Sequence, residues 1–175
     1  MKLKQLFMVT VSTVLLASFG GVKAGDTDSK DAIIGKATPT IENGIMTPEL
    51  LHSFGKIGAV QVSPNKKELL YHVSYVDIEA NKSNTEIFKI NVDGSEKTQL
   101  TFTNESEGSA QWIDGGNKIA FLKSNEGTRQ LWVMNADGTD AKCISDVEGG
   151  ISGFTFSPDE TKVMYIKKVK SVETI

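Results

Sequence analysis

The sequence predicts an all-β fold of four-stranded antiparallel sheets, and three observations carry that prediction. Beyond Gly55, short runs of β-branched and aromatic residues alternate with clusters of Gly, Asn, Asp and Pro, the pattern of strands joined by tight turns. These runs are copies of one another. Their spacing of 44 to 50 residues is the length of one four-stranded unit.

Taken in chain order, the first element is an address. Met1 to Lys4 are positive, Leu6 to Phe19 run without a charge, and Val22-Lys23-Ala24 sets small residues before a cut, so residues 1–24 are expected to be a signal peptide. The uncharged run of 14 residues is shorter than the roughly 20 that cross a bilayer as a helix. No Cys lies near the cut for lipid anchoring. The expectation is therefore an exported chain, periplasmic or extracellular, without a stable membrane anchor. A polar linker is expected over 25–45. Over 46–57, Met46-Thr47-Pro48-Glu49-Leu50-Leu51 reads as one short helix, with Thr47 as cap, Pro48 where no amide hydrogen is needed, and Glu49 at the positive end of the dipole.

The repeats occupy 58–175. Glu86-Ile87-Phe88-Lys89-Ile90-Asn91-Val92-Asp93-Gly94 aligns with Gln130-Leu131-Trp132-Val133-Met134-Asn135-Ala136-Asp137-Gly138 at an offset of 44, each an alternating strand ending in an Asn-x-Asp-Gly turn. A second element recurs at Val60 to Asn65, Ala110 to Gly115 and Phe154 to Asp159. Its first interval is six residues longer, and the excess is assigned to Val76 to Asn84, expected to lengthen a strand connection. The first unit then holds strands at Ala59 to Ser63, Glu68 to Ser74, Thr85 to Val92 and Lys97 to Leu100. Four strands in about 40–50 residues is a β-propeller blade, against the alternative of a β-sandwich with accidental similarity. About two and a half blades are present: Ala59 to Phe102, Ala110 to Ser145, and a third begun at Ser152. Propellers close with about 4 to 8 blades, so the sequence is expected to be a fragment of a longer polypeptide or one member of a multi-chain ring, with self-association through exposed blade edges.

Composition excludes some functions. The chain has 175 residues, 39% hydrophobic and 23% charged, with a net charge of -3. Lys2, Lys4 and Lys23 fall in the first 24 residues, which hold no Asp or Glu, so the remainder carries 16 basic against 22 acidic residues and a charge of -6. That balance repels a phosphate backbone, and no nucleic-acid partner is expected.

The repeats resemble those of the translocation protein TolB and of the prolyl oligopeptidase family of serine peptidases, which are built on Ser-Pro-Asp-Gly and Asn-x-Asp-Gly turns. Here the first pattern stands as Ser63-Pro64-Asn65-Lys66 and Ser157-Pro158-Asp159-Glu160, without the final Gly. The middle copy, Ile113-Asp114-Gly115-Gly116, lacks Ser-Pro. The segment Met46 to Leu51, the strand at Val60 and the stretch Val76 to Lys82 are similar to the start of secreted dipeptidyl-peptidase and acylaminoacyl-peptidase members. The resemblance implies an N-terminal propeller that restricts entry of short peptides to a hydrolase domain, absent from this sequence, which carries a Ser-Asp-His triad. The competing reading is a non-catalytic TolB-like module that binds protein partners.

The residues themselves supply no catalytic, cofactor-binding or metal-ligating assignment. Gly150-Ile151-Ser152-Gly153 lacks the Gly-x-Ser-x-Gly spacing of a nucleophile elbow. His52, after the helix, and His72, in a strand, read as structural. Cys143 reads as a small hydrophobe in a short strand, and, as the sole cysteine, forms no intramolecular disulfide. Two histidines and one distant cysteine make no metal cluster. Asp77 and Glu79 read first as a solvated loop face, second as a site for a peptide amino terminus or a cation.

Overall fold

Thr47 starts the first element, as its sequence position requires. Its side chain accepts from the Leu50 amide at 3.2 Å and opens helix α1 (Pro48–Ser53). The start of the helix and the Thr47 hydroxyl hold the Glu49 carboxyl below its usual range. The helix starts where expected, with Thr47 as the extended cap and Pro48 as its first residue, but runs two residues beyond Leu51 to Ser53, whose Oγ donates to Leu50 O at 2.6 Å in the last turn. His52 therefore lies within the helix, not after it. The computed structural model describes residues 34–38, 40, 41 and 43–169. The expected signal peptide 1–24, the linker up to residue 33, and residues 170–175 lie outside the described residues.

Three antiparallel sheets follow, each formed by consecutive strands. The first is β1 (Lys56–Val62), β2 (Glu68–Asp77), β3 (Lys82–Asn91) and β4 (Thr98–Gln99), in that order. The second is β5 (Gly108–Ile113), β6 (Lys118–Asn125), β7 (Thr128–Asn135) and β8 (Lys142–Cys143). β9 (Gly153–Phe156) and β10 (Val163–Ile166) pair as a third. These are the predicted blades of a partial propeller, and the repeat extends to irregularities: β1 and β5 carry matching register shifts, at Gly58/Gln61 and Gly108/Gln111, with Ala59 and Ser109 at positive φ.

The six additional residues do fall in Val76 to Asn84, but most of them lengthen the ladder and not a loop, because β2 and β3 remain paired out to Asp77↔Lys82. The hairpin Glu68–Asn91 spans 24 residues against 18 for Lys118–Asn135, and this longer ladder with its four-residue turn holds all six additional residues. Alternation along the ladder explains why: Tyr75 and Asn84 are buried while their neighbours face outward.

The two Asn-x-Asp-Gly turns are built alike. Gly94 and Gly138 stand at φ +86° and +88°, and their amides donate to Asn91 O and Asn135 O, each at 2.9 Å. The residue after each glycine, Ser95 or Thr139, places both amide and hydroxyl on the Asp93 or Asp137 carboxylate. In the Ser-Pro turns, Ser63 and Ser157 hydroxyls donate to Asn65 and Asp159, and Lys66 and Glu160 adopt the left-handed conformation a glycine would favour.

The core lies in the seams between sheets. Leu70, Ile87 and Leu100 of the first sheet meet Ala110, Ile119, Phe121 and Met134 of the second. Ala120, Leu122 and Leu131 of the second pack against Ile151 and Phe154 of the third. The period of two along each strand sends Leu70 and Ala120 forward, and Tyr71 and Phe121 backward.

Candidate functional site

The seam between the first two blades carries a polar cluster where its counterpart is neutral. Asn84 Nδ2 donates to Glu86 Oε1 at 2.8 Å, the Thr103 amide reaches the same oxygen at 3.1 Å, and Thr101 Oγ1 donates to Glu86 Oε2 at 2.6 Å. One repeat later Gln130 makes the same bonds: its Oε1 accepts from Ser145 Oγ at 2.7 Å and from the Val147 amide at 3.0 Å. Glu107 then enters beside Glu86, its amide on Thr85 O, as the Ile151 amide is on Arg129 O. Glu107 stands where the next seam has a buried isoleucine.

Both carboxyls are enclosed, each residue 1% exposed. Glu107 Oε1 lies 2.7 Å from Thr103 Oγ1 and 3.7 Å from Lys123 Nζ, while Oε2 is buried without a hydrogen-bond partner. Burial first, and the neighbouring Glu86 carboxylate second among the raising effects, push the Glu107 carboxyl up to about 7. His72, on β2, accepts from the Ala110 amide through Nε2 at 3.3 Å. Burial, with the charge of Arg129, holds its imidazole below the usual value, so it serves the seam as a neutral acceptor.

The other residues weighed from sequence are dispersed. His52, Asp77 and Glu79 line one open cleft of about 480 Å³ between α1 and the tip of the long hairpin, together with Glu49 and Ile34. Asp77 Oδ1 is already engaged by the Ala80 amide at 2.9 Å. Cys143 lies in β8, half-buried, with Sγ 3.2 Å from Ser145 O. Ser152 precedes β9 and donates to Ile166 O at 3.1 Å, so it sits in a sheet and not on a strand-to-helix elbow. Among the described residues no serine hydroxyl bonds a histidine, and no three His, Cys, Asp or Glu side chains gather to hold a metal ion. Nor is any helix there long and apolar enough to cross a membrane. A second groove, about 390 Å³, lies on the outer face of the first blade and is apolar, formed by Ile57, Val60, Tyr71, Val73, Tyr75 and Ile90.

Sequence reasoning passed over Glu86 and Glu107. The signal was present in the same offset of 44 that revealed the blades, which sets Glu86 on Gln130 and Glu107 on Ile151.

The fold and seams define a β-propeller segment of the kind carried by TolB proteins and by peptidases. The likeness covers 65% of this chain for a TolB-like protein of Agrobacterium tumefaciens (39% of that chain, TM-score 0.52, 23% identity). It covers 71% for the acylaminoacyl peptidase of Pyrococcus horikoshii (19% of that chain, TM-score 0.57, 20% identity). No protein-family model matches the sequence. Sequence similarity is more selective: dipeptidyl-peptidase 5 of Porphyromonas gingivalis is 42% identical over 144 residues, 79% of this chain, and that of Porphyromonas endodontalis 37% over 131 residues, 75% of this chain. The chain thus belongs to the dipeptidyl-peptidase 5 family and carries β-propeller repeats. It spans about a fifth of the length of those relatives, 19% and 21%.

Proposed function

We propose that this chain is the propeller portion of an exported serine exopeptidase acting on short peptides, and that it gates access to a hydrolase domain lying elsewhere in a longer polypeptide. The observation that carries the reading is the 42% identity to dipeptidyl-peptidase 5 across 79% of the chain. Chemistry then belongs to the hydrolase, where a serine ester would form and release amino-terminal fragments.

The purified 175-residue chain is expected neither to cleave dipeptide amides nor to react with a fluorophosphonate probe. Labelling of any serine here overturns the division of labour. The exported state is tested separately by fusing residues 1–24 to a reporter active only outside the cytoplasm, where silence in a folded fusion removes that part of the reading. Downstream coding sequence lacking Gly-x-Ser-x-Gly but continuing the blades would instead favour the TolB-like binding module.

A further inference from the structure

Glu107 and Glu86 face one another inside a seam whose repeat-equivalent positions are Ile151 and Gln130. The equivalent seam closes without any carboxylate, through the Ile151 amide on Arg129 O at 2.7 Å and the Val147 amide on Gln130 Oε1 at 3.0 Å. Packing therefore does not require acids at these two positions. Two enclosed carboxyls are tolerated side by side only when one of them is neutral.

Hydrogen bonding identifies which one. Three donors converge on Glu86: Asn84 Nδ2, the Thr103 amide and the Thr101 hydroxyl. Glu107 has no such set. Its Oε2 has no partner, and its Oε1 meets a single hydroxyl, that of Thr103, which also lies 2.9 Å from Glu105 O. A hydroxyl has one proton, and a carbonyl oxygen can only accept. Thr103 Oγ1 therefore divides its one proton between Glu107 Oε1 and Glu105 O, and the Glu107 carboxyl has at most that one hydroxyl donor where Glu86 has three donors.

We propose that the seam between the first two blades is a proton-dependent latch, closed while Glu107 carries a proton and loosened when it ionises against Glu86. The groups facing Glu107 from the packed elements are Glu86 on β3, Lys123 on β6, and, further along the seam, His72 on β2 and Arg129 on β7, whose guanidinium packs over Gly108. Lys123 lies 3.7 Å away and also covers the Trp132 ring at 5.3 Å, so it provides partial compensation for the new charge. The part of the seam that opens is the end where Glu107 joins Thr85, while Leu70, Ile87 and Phe121 hold the remainder. Because it concerns this chain alone, the latch stands or falls independently of the peptidase reading.

The sign follows from linkage. The folded state keeps the Glu107 proton to higher pH than the unfolded chain does, so the contribution is complete below about 4.5 and is lost as pH rises through about 7. Over that interval the opening constant of the seam rises by up to tenfold per pH unit. Hydrogen exchange of the 175-residue chain reads this directly, with the Ile151 amide as internal reference for the Glu107 amide. The expected result is a protection ratio, Glu107 over Ile151, that falls at least tenfold between pH 5 and pH 8, and that becomes flat in Glu107→Gln. A flat ratio in the natural chain, or an unchanged slope in Glu107→Gln, overturns the latch. Should Glu107→Gln fail to fold, carbon-13 titration of the natural chain decides: a Glu107 carboxyl midpoint near 7 is expected, and one below 5 refutes it.

Discussion

Gly94 and Gly138 occupy the same turn position in successive blades with nearly the same backbone, φ +86° and +88°, yet their surroundings differ. A Cβ built on Gly94 meets nothing within 4 Å, whereas one on Gly138 meets Leu100 O at 3.0 Å, Leu100 Cα at 3.3 Å and Leu100 Cβ at 3.4 Å. Alanine at either site incurs a left-handed penalty of about 1–2 kcal/mol, offset by roughly 0.5–1 kcal/mol of glycine entropy no longer lost on folding. Gly94→Ala is therefore expected to cost about 1 kcal/mol. Gly138→Ala adds a clash with backbone that cannot swing aside, because the Leu100 amide is tied to Ile87 O at 2.8 Å. Overpacking of this kind costs about 1–3 kcal/mol more. With a urea slope of about 2 kcal/mol/M, the two midpoints should differ by about 1 M. Equal losses in the two variants would refute the argument, since the turn alone, and not the closeness of the blades, would then set the cost.

Three further outcomes are expected. Lys66→Gly relieves positive φ without losing any side-chain bond and should stabilise the chain by up to about 1 kcal/mol, whereas Glu160→Gly also removes the 2.7 Å acceptor of the Asp114 amide and should gain little; equal gains in urea unfolding would contradict this. Buried neutral His72 binds a proton less readily than the unfolded chain, so its contribution is intact above about 6.5 and declines as pH falls through its lowered folded value; the decline should disappear in His72→Gln, and its persistence in denaturation curves would assign it to another group. Light scattering is expected to show association of the natural chain through its open blade faces, suppressed by Val60→Lys, since Val60 is 58% exposed in the apolar groove; a monomer at every concentration would contradict that expectation.

The blades were legible because turns and alternation are local. Asn91-Val92-Asp93-Gly94 needs only its own hydrogen bonds to form, and Ser63 with Asn65 closes its turn within six residues. The long hairpin was misread as a loop because Val76 to Asn84 is mostly polar, and polarity is a poor guide where a ladder projects beyond the core and only Tyr75 and Asn84 turn inward. His52 falls inside the helix, which runs two residues past the expected end, for a related reason: a Ser53 hydroxyl bond to Leu50 O leaves no composition signal. The carboxyl pair was harder to see. Glu86 and Glu107 are separated by 21 positions, each looks like a surface residue in its own segment, and only the register of two sheets brings them together.

The repeat also provides a reference for the open end of the structure. The stacked pair Phe121–Trp132, with centroids 6.5 Å apart, is covered by Leu70, Ile87 and Leu100 of the preceding blade. Its counterpart Tyr71–Phe88, at 5.7 Å, is covered by no blade among the described residues, and the same face leaves Ile57 70% exposed. Tyr71 stands for Phe121 and brings a hydroxyl that its equivalent lacks, whereas Lys97, 5.4 Å above Phe88, has a match in Lys123, 5.3 Å above Trp132. A face that only packs another blade would not need that hydroxyl. Departures from the repeat thus include the carboxyls between the first two blades and the tyrosines on the open face, beside the longer first hairpin and the middle turn that lacks Ser-Pro. Since packing fixes the repeated positions, the positions that break the repeat without improving packing are where a function of this chain is to be sought.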